Sequence, residues 1–128
     1  MGLDVTVPGD ESRSFRFGSY TKFRRFRIQL TRYTHGESLS NEYAAWYTPF
    51  PKDDLSAEFK TLDISPFYTL SDCDQRITRG ECSDLFKIMK KHEALLERSD
   101  VDEEFKASFS NLMLAFEVGA NKGGVIFQ

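Results

Sequence analysis

The chain lacks most of the features that declare a function. Two of its 128 residues are cysteine. Cys73 and Cys82 are too few for a disulfide framework and too widely spaced for a zinc knuckle. No stretch approaches the roughly 18 consecutive apolar residues of a membrane span. Met1-Gly2-Leu3-Asp4 has neither the basic region nor the apolar run of a secretory signal. These absences lead to the expectation of a reduced, cytoplasmic protein without membrane contact. Gly2 and Thr6 together fit an N-acylation pattern, but the alternation around them reads as structure. Histidine is confined to His35 and His92. Gly-x-Gly-x-x-Gly, phosphate-binding Gly-Lys-Ser/Thr, His-Glu-x-x-His and nucleophile-elbow sequences are all missing. No internal repeat or low-complexity tract is present. No cofactor, no metal and no complete catalytic constellation are therefore expected.

Aromatic residues, by contrast, are plentiful: twelve Phe, five Tyr and one Trp. At roughly 25 cal/mol per Å² buried, these rings can dominate the stability of a small core. A single compact domain over residues 1–128 follows from the length.

The residue pattern predicts an α+β fold. Leu3, Val5 and Val7 alternate with polar neighbours, as do Phe15 and Phe17, which suggests a pair of strands around the Pro8-Gly9-Asp10 turn. Ser19 is placed to cap a helix over Tyr20 to Tyr33, with Phe23, Phe26, Leu30 and Tyr33 as its apolar stripe. Thr78 and Glu81 form a capping box ahead of a helix over Arg79 to Arg98. A last helix runs from about Val101 to Ala120, with Asp102 or Ser99 as its cap, and Val125-Ile126-Phe127 closes the chain as a strand. The expected architecture is a small sheet of short strands from both termini, covered by about three helices. Residues 34–70 show no clear period. Leu39 to Tyr47 suits a short helix or an irregular aromatic segment, and Lys52-Asp53-Asp54 looks solvated.

Charge is divided along the chain. Residues 1–33 hold seven Lys/Arg against three Asp/Glu, and residues 34–128 hold ten against seventeen. Two clusters follow from this. In the basic helix, Arg24, Arg25 and Arg32 are interleaved with aromatic rings, a mixture that suits phosphates and bases; an ordinary solvated face, with one or two arginines paired to acids, is the simpler reading. Arg27 differs, lying about 40° from Phe23 on the helical wheel at the margin of the buried stripe. There its guanidinium needs carboxylate or carbonyl partners, or must reach out to water.

The second cluster is the acidic turn from Leu70 to Glu81. Asp72, Asp74 and Glu81 occupy ligand positions of a calcium loop, but Leu70 replaces the first carboxylate and Gln75 the glycine of the sharp turn. A capped turn that holds no metal is the simpler reading. His92 falls among Leu85, Ile88, Leu95 and Leu96 and is expected to be packed and hydrogen-bonded. His35, next to Gly36, helps to end the first helix. Cys82 lies on the apolar side of its helix and is expected to be buried.

Met1-Gly2-Leu3-Asp4-Val5, then Phe15-Arg16-Phe17-Gly18-Ser19-Tyr20 with Phe23, Phe26 and Arg27, then Ser71-Asp72-Cys73-Asp74 with Glu81-Cys82, resemble a family of small uncharacterised bacterial and phage proteins. The chain departs from that pattern at Gln75, where glycine is usual, and at Tyr68-Thr69-Leu70, where an Asn-His pair is usual. The resemblance implies a shared fold and a phage or prophage origin, but no reaction.

The functional expectation is a non-enzymatic protein-interaction domain with a protein partner, acting through exposed charge or the acidic turn. One alternative is a small ligand-binding or enzymatic domain in which Arg16, Arg27, His35, Asp72 and Asp74 converge on a charged cleft. The other is a nucleic-acid-binding protein using Arg24, Arg25 and Arg32. Nothing in the residues sets an oligomeric state.

Overall fold

In the computed structural model, which describes residues 2–47, 57–70 and 75–128, the N-terminal alternation becomes β1 (Gly2–Thr6), paired antiparallel with β2 (Phe15–Ser19). The register shifts between Leu3 and Asp4, a bulge that sets Leu3 opposite Gly18 and Asp4 opposite Arg16. Leu3, Val5, Val7 and Phe17 are buried, so the period of two has sorted core from solvent. On its other side β1 pairs with β4 (Val125–Phe127), which in turn pairs with β3 (Gln75–Ile77). The sheet is antiparallel, in the order β2-β1-β4-β3, and both terminal segments contribute to it as expected.

Helix α1 (Tyr20–His35) follows β2 without a loop; the Ser19 side chain accepts a hydrogen bond from the Lys22 amide at 3.1 Å. The helix ends at Gly36, whose φ of 104° suits the residue without a Cβ. Helix α2 (Glu37–Tyr47) and the short α3 (Ala57–Lys60) lie in the segment without a clear period. Residues 65–69 form a 3-10 turn that buries Phe67 and Tyr68. Thr78 and Glu81 make the full capping box at the start of α4 (Arg79–Lys91).

Helix α4 stops seven residues short of the predicted Arg98. The His92 amide reaches carbonyls of the preceding turn, including Met89 at 3.1 Å, and the chain tightens into a 3-10 turn over Glu93–Glu97. Leu95 stays buried through that change, so the apolar pattern continues although the helix does not. The last helix, α5, spans Glu103–Asn121 with Asp102 at the cap position, though the Asp102 side chain makes no capping bond.

The rings form the core. Phe17 meets Phe23 edge-on at 5.2 Å, Phe26 stacks on Phe105 at 4.9 Å, and Phe23 meets Phe127 at 5.6 Å, joining sheet, α1 and α5. A second aromatic group, with Tyr43 at 4.6 Å from Tyr68 and Phe59 at 5.7 Å from it, joins α2 and α3 to the 3-10 turn. Cys82 is fully buried, as expected, and burial with the nearby Glu81 charge pushes its thiol up to about 11. It packs rather than reacts.

Candidate functional site

One face of α1 carries a polar seam. Arg27, Thr31 and His35 are spaced by four, so they stack along the same side of the helix. Each bonds to the segment 63–70, which passes the helix in the opposite direction. Arg27 Nη1 donates to the Leu70 carbonyl at 3.0 Å, Thr31 Oγ1 shares a 2.7 Å bond with the Tyr68 hydroxyl, and His35 Nε2 lies 2.7 Å from Asp63 Oδ1. Arg27 is only 3% exposed, and its guanidinium carbon stands 4.7 Å from the centre of the Phe23 ring. A buried guanidinium thus meets a carbonyl, one of the partners its position requires, and a π face.

At the far end of the seam three nitrogen donors, from His35, Lys91 and His92, gather on the Asp63 carboxylate. Asp63 accepts from His35 through Oδ1, and through Oδ2 from His92 Nε2 at 2.7 Å and Lys91 Nζ at 2.8 Å. The His35, Asp63 and His92 side chains are 26%, 24% and 18% exposed. The two imidazole centres are 6.5 Å apart. Burial alone would raise the Asp63 carboxyl, but hydrogen bonds from Lys91, His35 and His92 outweigh it and hold the group well below the usual carboxylate range. Beside it, burial pushes the Tyr68 phenol up to about 12, opposed by the bond to Thr31 and reinforced by the Asp63 charge.

An ionised carboxylate only accepts hydrogen bonds, so both imidazoles must carry hydrogen on Nε2. The cluster joins the end of α1, the segment after α3 and the end of α4. Asp63→Ala should cost about 2 kcal/mol at pH 7, because two half-buried imidazoles lose a charged partner; the exposed Lys91 contributes little of this. The Asp63 contribution is fully present above its ordinary value of 3.8 and is lost as pH falls through the depressed folded value. Urea midpoints for the wild type and the variant should therefore converge below pH 4, and a gap that stayed constant into acid would contradict the assignment.

The residues singled out from the sequence are distributed as follows. Arg16 is exposed and pairs with Asp4 at 3.1 Å. It precedes α1, whereas His35 ends it, roughly 22 Å of helix away; the two do not share a cleft. Arg27 and His35 share the seam. Asp72 and Asp74 lie outside the described residues, as does Cys73. Arg25 and Arg32 are exposed, and Arg24 is half-buried. His92 is packed and hydrogen-bonded, as its position on the helix predicts. Asp63 went unnoticed in the sequence, although it is the one charged residue in 61–70. A lone carboxylate in an apolar stretch is a signal that it has partners.

Among the described residues, no group of three or more His, Cys, Asp or Glu is placed to hold a metal ion. None of their helices is long and apolar enough to cross a membrane. A broad groove between α4 and α5, bounded by Phe86, Lys87, Glu117, Val118 and Lys122, contains none of the predicted site residues. Comparison of the chain with protein-family models, curated proteins and solved structures yields no match.

Proposed function

We propose that the protein is a small non-enzymatic interaction domain, of phage or prophage descent and working in the cytoplasm, that binds another protein through the outward face of α1. The observation that carries this reading is the division of that helix. Phe23, Phe26, Arg27, Leu30 and Thr31 are turned inward, while Arg25 and Arg32 remain exposed beside the half-buried Ile28. Two guanidinium groups flanking an apolar side chain suit a partner surface with carboxylates around an apolar patch. Asp72 and Asp74 belong to the same proposal as a second source of charge, on the sequence alone.

Nucleic acid is the less favoured partner. Arg16 and Lys22, which would extend the basic stripe, are paired with Asp4 and Glu104 at 3.1 Å each. The whole chain carries a formal charge of −3, so it offers a polyanion little long-range attraction.

Pull-down from a native host lysate tests the reading, with the R25E/R32E and D72K/D74K variants run beside the wild type and oligonucleotides at low salt as a parallel probe. Capture of a specific protein should fall at least tenfold in one of the two variants while circular dichroism is unchanged. A partner retained by both variants overturns the surface. Oligonucleotide binding that vanishes in R25E/R32E and weakens with salt assigns the function to nucleic acid instead.

A further inference from the structure

We propose that the groove between α4 and α5 is the contact face of a symmetric dimer, in which a second copy of this chain lays its own α4–α5 pair across it. The inference is independent of the α1 surface. It rests on apolar side chains left on the outside of this helix pair, between two opposite and unpaired charges.

The sequence puts apolar side chains where α5 has no core to fill. Phe105, Phe109, Leu112 and Phe116 are buried. At about 100° per residue, Val118 falls about 180° from Phe109, and Leu114, four residues before it, shares that outward side. Both are half-buried. On α4, Cys82, Leu85 and Met89 are buried, while Phe86 sits about 100° from Leu85 and borders the groove. The space between Phe86, Val118 and Ala120 amounts to about 620 Å³ and is open to solvent. A broad, open trough suits interdigitating side chains of another helix pair better than a small molecule, which needs a site that encloses most of its surface.

Charge selects the occupant. Lys87 on the α4 wall and Glu117 on the α5 wall are exposed, and among the described residues neither forms an ion pair within the chain. The other two charged residues at the groove are already engaged: Lys122 donates to the Gly9 carbonyl at 3.2 Å, and Asp10 accepts from the Ser12 hydroxyl. The open charges therefore sum to zero, with one of each sign on opposite walls, a pattern complementary to itself. The start of α4 and the end of α5 border the same groove, so the two helices run antiparallel. A two-fold axis along the groove sets α4 of one copy against α5 of the other and brings each Lys87 to Glu117 of the other copy. An axis across the helices would oppose Lys87 to Lys87 and is disfavoured.

The size of the face sets the strength. Helix α5 has 19 residues, so it is roughly 28 Å long, and two packed helices are about 20 Å wide. Each copy can then bury on the order of 550 Å², which places the pair among weak, reversible interfaces.

Sedimentation equilibrium of the purified full chain, from about 1 to about 200 μM, tests this in the range that such an interface calls for. The wild type should pass reversibly from monomer to dimer. K87E and E117K should each raise the dimer Kd at least about fivefold, because the two-fold axis makes every swap act twice. The double variant K87E/E117K should return close to the wild-type value, with circular dichroism unchanged throughout. A wild type that stays monomeric over the whole range overturns self-pairing and leaves the groove to a different protein. A dimer indifferent to the single swaps, or one that the double swap does not restore, overturns it as well. None of these results bears on capture of a partner by α1, so the two readings fail separately.

Discussion

Replacing Gly124 by alanine is expected to cost more than about 3 kcal/mol, a large fraction of the stability of a small domain. Gly124 has a φ of +83°, a region that L side chains rarely adopt. Its amide also donates to the Gly119 carbonyl at 3.0 Å, closing the end of α5. An added methyl group would collide with the Ile77 carbonyl oxygen. That oxygen is backbone in β3, which pairs with β4 at Val125, so the clash is relieved only by parting two strands. Gly80→Ala is the matched control. It sits in the first turn of α4 with nothing within 4 Å of the new methyl, and should be neutral or stabilising by a few tenths of a kcal/mol. Urea midpoints that coincide for the two variants would refute the argument.

The second large effect is expected at Arg27. Arg27→Ala removes a buried side chain packed over Phe23 and takes the Nη1 donor from the buried Leu70 carbonyl. A cavity and an unsatisfied acceptor together should cost about 3 kcal/mol. Arg27→Met separates the two contributions. It fills most of the space but restores no donor, and should recover about half of the loss. Equal losses for Ala and Met would mean that the polar contact dominates. A fully stable Met variant would mean that volume alone matters. Chemical denaturation followed by tryptophan fluorescence reports both.

The parts of the fold that sequence makes readable are those with a local period. Phe23, Phe26 and Leu30 mark α1, and Phe105, Phe109, Leu112 and Phe116 mark α5, because each stripe repeats within a turn or two. Ser19 and the Thr78/Glu81 pair announce their helices through oxygens that meet orphan amides three residues on. Strand β3 is not readable in this way, since Ile77 is its only apolar residue and alternation needs more than one. The early end of α4 is hidden for the opposite reason: Leu95 and Leu96 continue the apolar pattern while the backbone changes its hydrogen bonding. The candidate site is half legible. Arg27 and His35 stand out by charge and position, and adding Thr31 would have revealed a spacing of four. Their partners 43, 37 and 28 residues away lie beyond any local rule.

The sheet order has a consequence for how the chain is made. Strand β4 lies between β1 and β3, yet it is translated after all the helices of the described residues. A nascent chain can assemble the β1–β2 hairpin early, but β3 has no neighbour to pair with until residues 125–127 leave the ribosome. Closing the sheet is then a long-range, slow event, and stalling translation just before Val125 should leave a helix-rich, protease-sensitive intermediate.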